Sequence, residues 1–199
     1  MAKGGLRKIV AMGKGSGLAH PKVRKTILKM TGKGAKTRVL YLGTASYERE
    51  SGFDRQVGAF RDDDGCAVTH LKLTDLATCP SKAAIRRAVD ASDVIAVSGG
   101  NTLFAMTRWR RLGLDAMLRR AMRRGAVMCG GSAGAICWFN GGHSDSRDPA
   151  TLRNPKANLT AAEKKNWDYI RVQCLGFVPG VLCCPHHARR DSAARTFLD

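Results

Sequence analysis

A serine flanked by glycines, Gly130-Gly131-Ser132-Ala133-Gly134, is the segment of this chain best suited to chemistry. Apolar residues precede it at 126–129 and follow it at 135–139, which predicts a buried strand, a tight turn and then a helix. The pattern matches the G-x-S-x-G turn, which holds a serine in a strained conformation with its Oγ pointing away from the sheet. The motif predicts a nucleophile at Ser132, although a strand-to-helix turn of small residues is also an ordinary connection.

A serine nucleophile needs a base, and His186 is the histidine in the most suitable position. It closes the apolar run 177–185, which predicts a strand, and a proline restricts the backbone just before it. His20 opens a basic helix and His70 lies within a predicted strand, so surface or core positions suit these two. His187 points to the opposite side if the segment stays extended. We therefore expect His186 to be the base.

The rest of the chain alternates between short apolar runs and amphipathic segments of helical length. The runs that predict strands lie at 8–12, 38–42, 67–73, 93–97 and 126–129. The segments that predict helices lie at 21–32, 51–62, 81–91, 102–111 and 114–124. This alternation predicts an α/β fold, with a mostly parallel sheet flanked by helices on both faces. Functional loops of such sheets gather at the carboxyl ends of the strands.

Two loops invite a functional interpretation. The glycine-rich loop 13–17 matches neither a Walker loop nor a complete dinucleotide motif, which favours a tight strand-to-helix connection. The alternative is that the backbone amides of this loop bind a carboxylate of the substrate. The polar stretch 143–166 contains two Asx-Pro turn signals and is predicted to be a surface excursion.

Length and composition indicate a single α/β domain over residues 1–199, of which 44% are apolar. No apolar run approaches the ~18 residues that a membrane helix needs, and the N-terminus lacks the apolar core of a signal peptide. The seven cysteines show no C-x-x-C spacing, so we expect no metal site and a reducing compartment. These features predict a cytoplasmic protein with no membrane partner.

The formal charge of +18 has two interpretations, with basic residues concentrated at 22–36 and 108–124. Such clusters bind nucleic-acid phosphates, or they form solvated helix faces that attract acidic substrates. Aromatic residues are sparse and do not alternate with the basic ones, as a base-stacking surface requires. We therefore expect no nucleic-acid partner.

Three segments together resemble the peptidase E (aspartyl dipeptidase) family, whose relatives include the cyanophycinases. They are Ser98-Gly99-Gly100-Asn101-Thr102-Leu103-Phe104, the Ser132 turn with the apolar residues after it, and Cys184-Pro185-His186. The resemblance spans residues 7–199 and implies a class I glutamine-amidotransferase-like (flavodoxin-like) fold. It also implies a serine hydrolase without a metal or other cofactor. Because that family continues beyond the Pro-His motif, its C-terminal strands are expected to be missing from this domain.

The resemblance assigns the triad and leaves its third member open. Ser132 matches the nucleophile and His186 the base. Asp145 is the expected third residue because the family carries an aspartate-containing segment in this region, although a turn-capping role is equally compatible. Asp191 and Glu163 are weaker alternatives.

The oxyanion hole follows from geometry as well as from the family. The N–H of Ala133 comes directly after the nucleophile, and the neighbouring turn brings a second amide from Gly99 or Gly100. Asn101 and Thr102 either bind the substrate or cap the next helix.

The reaction that the resemblance implies is hydrolysis of a small acidic peptide with an N-terminal aspartate. Recognition of the carboxylate needs a cation, preferably a guanidinium, and Arg190 and Arg195 follow the base closely. The alternatives are a cyanophycinase-like isopeptidase, a catalytically silent nucleic-acid-binding relative and an α/β-hydrolase esterase. The oligomeric state stays open, with a homodimer as one option.

Overall fold

A five-stranded parallel sheet forms the centre of the computed structural model, which describes residues 6–154 and 159–186. Its strands are β1 (Lys8–Met12), β2 (Arg38–Leu42), β3 (Ala67–His70), β4 (Val94–Val97) and β5 (Val127–Gly131). They lie in the order β1-β5-β4-β2-β3, and every neighbouring pair is parallel. The α/β fold predicted from the alternation of apolar runs is confirmed.

Helices cover both faces of this sheet. They are α1 (Pro21–Thr31), α2 (Glu50–Phe53), α3 (Ala59–Asp62), α4 (Lys82–Ala91), α5 (Thr102–Leu112), α6 (Leu114–Arg123) and the one-turn α7 (Ala133–Ile136). A π-helical turn, Asp54–Gly58, joins α2 to α3, so the helix predicted at 51–62 contains one wide turn. Short 3-10 turns follow β1 and β2 at Gly15–Ala19 and Thr44–Ser46. No helix within the described ranges is long and apolar enough to span a bilayer.

Successive strand residues point to opposite faces and fill two separate cores. Leu40 and Ile95 pack in the core under α4, α5 and α6. Val39 and Val94 pack in the other core, under α1 and α3. Strands that are buried on both faces are nearly continuous apolar runs, which explains why these strands were predictable from the sequence.

A second, three-stranded sheet follows α7, and only its last strand, within the apolar run 177–185, was predicted. Its central strand β6 (Phe139–Ser144) pairs antiparallel with β7 (Ile170–Gln173) and parallel with β8 (Val178–Cys183). The helix predicted over 135–139 is therefore wrong beyond Ile136, because the chain enters β6 at Phe139. A Cβ on Gly142 would overlap the carbonyl oxygen of Cys183, so a glycine is needed for β8 to approach.

The predicted surface excursion at 143–166 is wrong at its beginning. His143 and Ser144 belong to β6 and are buried, as is Ser146. Beyond them the chain forms a 3-10 turn, Pro149–Thr151, and the exposed helix α8 (Ala161–Lys165). The buried polar residues pair with the start of α5, since Ser144 Oγ donates to Thr102 Oγ1 over 3.1 Å.

Much of the basic cluster at 108–124 is bonded inside the protein. Arg110 donates to the carbonyl of Gln173, and Arg119 donates to the carbonyl of Leu175, over 2.8 and 2.7 Å. Three other arginines bond to nearby carbonyls or to Asp90: Arg108, Arg120 and Arg124. These contacts give much of the charge a structural use, and two of them tie the second sheet to the helical layer.

Strand β3 ends at His70, three residues earlier than predicted. The carboxylate of Glu48 accepts the backbone N–H groups of Leu73 and Thr74, which draws this segment away from the sheet. The His70 ring stacks on Phe53, with the ring centres 4.9 Å apart. Burial lowers the pKa of His70 from its ordinary value of 6.5, and the nearby Glu50 offsets this only in part.

We expect His70→Phe to flatten the acid dependence of stability. Because the folded pKa of His70 is lowered, its contribution is complete above the unfolded pKa of about 6.5 and is lost as the pH falls through the folded value. Urea denaturation between about pH 7 and pH 5 measures this slope. The exposed Thr26 of α1 offers a control in Thr26→Ser, which removes no titratable group and should leave the slope unchanged. A His70→Phe slope equal to that of the wild type would contradict the assignment.

Candidate active site

The two predicted catalytic residues lie in hydrogen-bonding contact. Ser132 Oγ and His186 Nε2 are 2.9 Å apart, although 54 residues separate them in the sequence. Ser132 follows β5 of the main sheet directly, whereas His186 comes shortly after β8 of the second sheet. The distance suits a hydroxyl that transfers its proton to an imidazole.

The backbone at Ser132 is strained. Its φ of 55° and ψ of −121° are rarely adopted by a residue with a side chain. Close packing imposes this conformation, since a Cβ on Gly131 would overlap the carbonyl oxygen of Lys14 and one on Gly134 would overlap that of Val97. The flanking glycines are therefore required by contact with the loop after β1 and with the end of β4.

Strain is concentrated around the site. Four non-glycine residues in the described ranges have a positive φ, and Tyr47, Ser132 and His186 line the same cavity, while Glu48 is the fourth. Such conformations persist only where the surrounding structure enforces them, and they cluster at functional sites. The strain thus supports a functional role for this cavity.

The cavity beside Ser132 and His186 has a volume of about 580 Å³. Its walls come from the loops after β1, β2, β4 and β5, from the π-helical turn and from residues 150–152. Three cations line it, Lys14, Arg49 and Arg55, and the lining residues that the structure describes include no carboxylate. The cavity therefore favours an anionic occupant.

These three cations were missed in the sequence. Arg190 and Arg195, which were predicted to bind the substrate, lie outside the described residues. Lys14 belongs to a loop at the carboxyl end of a strand, so its position offered a usable signal. Arg49 directly precedes α2 and Arg55 lies in the π-helical turn, and no sequence pattern distinguishes them from the many other arginines.

Tyr47 and the 3-10 turn Pro149–Thr151 form one wall of the cavity. The Tyr47 hydroxyl donates to the carbonyl of Thr151 over 3.0 Å, and its ring packs on Phe104. Burial raises the pKa of Tyr47, so the phenol stays protonated at neutral pH and keeps this hydrogen bond.

The glycines of the predicted oxyanion hole have different surroundings. A Cβ on Gly99 would lie 3.3 Å from the Cβ of Ser132, so the Gly99 backbone passes directly beside the nucleophile. Gly100 has a φ of 127°, and a Cβ there would overlap the carbonyl oxygen of Ala45. Ala133 begins α7 immediately after the nucleophile. Their role as oxyanion donors stays a prediction, and the geometry favours Gly99 over Gly100.

Asn101 and Thr102 are engaged by the protein itself. Asn101 Oδ1 accepts the N–H of Phe104 and so caps α5, while its Nδ2 donates to the carbonyl of Ser146. Thr102 is fully buried and accepts a hydrogen bond from Ser144. These contacts match the capping alternative, and substrate binding by this pair stays a prediction.

Asp145 follows β6 and begins the turn toward residues 149–151. Its carbonyl accepts the N–H of Asp148 over 2.8 Å, and Asp145 is not among the described residues that line the cavity. The alternative Glu163 caps α8 by accepting from the N–H and hydroxyl of Thr160, and Asp191 lies outside the described residues. The identity of the third triad residue stays a prediction.

A parallel α/β sheet with a strained serine at a strand-to-helix turn and an imidazole nitrogen at its Oγ has the site architecture of a serine hydrolase. Comparison with known proteins then identifies the family. The model of peptidase family S51 matches residues 9–198, and the chain belongs to this family of peptidases.

The relatives agree with this assignment. The uncharacterized peptidase YgaJ of Bacillus subtilis (strain 168) is 34% identical over 185 residues, which cover 92% of this chain and 69% of YgaJ. A peptidase from an acI-B1 Actinobacterium shares the fold with a TM-score of 0.70 at 18% identity, covering 99% of this chain and 78% of that one. A protein from Listeria monocytogenes EGD-e assigned to peptidase E has a TM-score of 0.56 at 18% identity, covering 88% and 77%. At this identity the two structures show the fold alone.

The strain at Ser132 predicts that its loss stabilises the protein. We expect Ser132→Gly to be more stable than Ser132→Ala by about 1 kcal/mol, because glycine accepts the observed φ without a steric cost. Part of the gain is lost through the greater freedom of glycine in the unfolded chain. Urea denaturation of both variants measures the difference. Equal or lower stability of Ser132→Gly would show that the turn is not strained.

Proposed function

We propose that this protein is a serine-type dipeptidase that hydrolyses short peptides with an N-terminal aspartate. The observation that carries the proposal is the 2.9 Å contact between Ser132 Oγ and His186 Nε2 at a cavity lined by cations. Membership of peptidase family S51 supports the peptidase activity, and the charge of the cavity supports the acidic substrate.

The chemistry follows from the positions of the two residues. Ser132 Oγ attacks the scissile carbonyl carbon while His186 Nε2 takes its proton, and the resulting oxyanion is held by the N–H groups of Ala133 and Gly99. His186 then returns the proton to the leaving amine, which breaks the peptide bond. A water molecule, activated by the same imidazole, hydrolyses the acyl-enzyme. In this proposal Asp145 orients the imidazole.

The choice of substrate follows from charge. At neutral pH a dipeptide with an N-terminal aspartate carries two carboxylates and one ammonium group. Arg49, Arg55 and Lys14 can pair with the carboxylates, and a guanidinium matches a carboxylate with two parallel hydrogen bonds. Arg190 and Arg195 are further candidates for this role.

The same charge argues against the alternatives. A β-linked aspartyl-arginine substrate would bring a guanidinium into a cavity that already holds three cations. A nucleic-acid surface would need exposed arginines, and five of those at 108–124 already bond to other parts of the protein. A general esterase gives no reason for the cationic lining.

Ser132→Ala is expected to abolish hydrolysis of Asp-X dipeptides, lowering kcat by a factor of at least about 10³ while the fold is kept. The measurement is peptide cleavage across a panel of Asp-X, Glu-X, Asn-X and X-Asp substrates, with circular dichroism as the folding control. Hydrolysis of Asp-X that persists in Ser132→Ala, or its absence in the wild type, would overturn the proposal.

Arg55→Gln is expected to raise KM for Asp-X by about 1.4- to 5-fold and to change KM much less for Asn-X, whose side chain is uncharged. The reason is the loss of one exposed cation, whose pairing with a carboxylate contributes roughly 0.2–1 kcal/mol. The matched control is Arg86→Gln, which removes an exposed arginine of α4 away from the cavity. An equal change in KM for both peptides would remove Arg55 from substrate selection.

A further inference from the structure

A buried glutamine in the cavity wall has no assigned partner. The side chain of Gln56 is only 5% exposed, and its Oε1 accepts no hydrogen bond from the described residues. Gln56 nevertheless lines the cavity that contains Ser132 and His186. Buried polar atoms are almost always paired, so an unpaired oxygen at a cavity wall indicates a group that is bound there.

An irregular backbone turn positions the carboxamide of Gln56 in the cavity wall. Gln56 lies in the π-helical turn Asp54–Gly58, and such wide turns occur mostly at functional sites. Two glycines flank the amide, since a Cβ on Gly15 would lie 3.5 Å from Oε1 and one on Gly52 would lie 3.9 Å from Nε2. No hydrogen bond with the described residues fixes the amide, so it is able to turn either end toward a ligand.

Gln56 is also close to the position of the reacting carbonyl. A Cβ built on Gly15 would lie 3.5 Å from Gln56 Oε1 and also 3.5 Å from the backbone nitrogen of Gly99. Gly99 in turn lies beside Ser132. In a substrate cleaved after its first residue, the α-ammonium nitrogen is two bonds, or about 2.5 Å, from the scissile carbonyl carbon. A group that binds the ammonium must therefore lie next to the nucleophile and the oxyanion donors, as Gln56 does.

The charge of the cavity limits what can accept the ammonium. The lining residues in the described ranges offer no carboxylate, so only neutral oxygens remain. Among the side chains that line the cavity, Gln56 contributes a buried oxygen without a hydrogen-bond partner in the described residues. The hydroxyls of Ser46 and Tyr41 lie nearby, 3.6 and 3.9 Å from a Cβ placed on Gly52. The Tyr41 hydroxyl also has no partner there, but Tyr41 is not among the residues that line the cavity.

We propose that Gln56 accepts a hydrogen bond from the α-ammonium group of the substrate and so selects peptides with a free N-terminus. The inference rests on the proposed function, since it concerns the first residue of the same substrate. Gln56 is a specificity-determining residue here, because it binds the substrate and takes no part in the proton transfers. Acetylation of the N-terminus removes the charge and most of the donors.

The test compares Asp-X with N-acetyl-Asp-X in wild type, Gln56→Met and Gln56→Glu. In the wild type we expect kcat/KM to favour the free peptide by ten- to a hundredfold, as for a hydrogen bond to a charged group. Gln56→Met removes the acceptor and should lower this ratio at least tenfold through KM. Gln56→Glu keeps an acceptor and should keep the ratio, even if its negative charge weakens the binding of both acidic peptides. Gln173→Met, at an exposed site on β7, is the matched control.

Labelling of Ser132 by a fluorophosphonate verifies that each variant is folded, because this reaction does not need the ammonium group. A wild type that cleaves both peptides equally would overturn the inference and leave the proposed function standing. An unchanged ratio in Gln56→Met would do the same. A wild type that labels at Ser132 and cleaves neither peptide would overturn the proposed function and the inference with it.

Discussion

The close approach of the glycine-flanked turn at Ser132 to neighbouring backbone is the constraint on which the site depends. Gly131 lies against the carbonyl of Lys14 and Gly134 against that of Val97, so the loop after β1 and the end of β4 are held at the nucleophile. The same contacts force Ser132 into its positive φ. Strain, nucleophile and cavity wall are thus consequences of one packing arrangement, since backbone can approach backbone so closely only where a Cβ is missing.

The imidazole reaches this turn through the second sheet. Strand β8 lies on β6 where Gly142 leaves room for Cys183, and it leads directly to His186. The connection between β7 and β8 is fixed from outside by Arg119, which bonds to the carbonyl of Leu175 and lies 5.0 Å from the ring of Phe177. A distant arginine on α6 therefore helps to place the base, so at least this member of the basic cluster contributes to the site through its position.

The sequence allowed the main sheet and the Ser132–His186 pair to be predicted, but little of what surrounds them. Strands buried on both faces are long apolar runs, and the turn at Ser132 matches a known pattern of small residues. Strand β6 contains Asn140-Gly141-Gly142, residues that sheets disfavour, so its pairing depends on tertiary contacts with β7 and β8. The cations of the cavity were hidden for another reason, because 34 basic residues leave no contrast by which Arg55 stands out.

The side chain of Gln56 is neutral, and in such a basic cavity a neutral acceptor has an advantage over a carboxylate. A glutamate at position 56 would lie next to Arg55 and near the loop of Lys14, where it would form an internal ion pair and occupy cations that the substrate needs. A glutamine accepts a hydrogen bond without competing for these cations. The cavity can then separate its tasks, with exposed cations holding carboxylates and a buried amide oxygen holding the ammonium. The proposed substrate, a zwitterionic and net acidic peptide, would satisfy both at once.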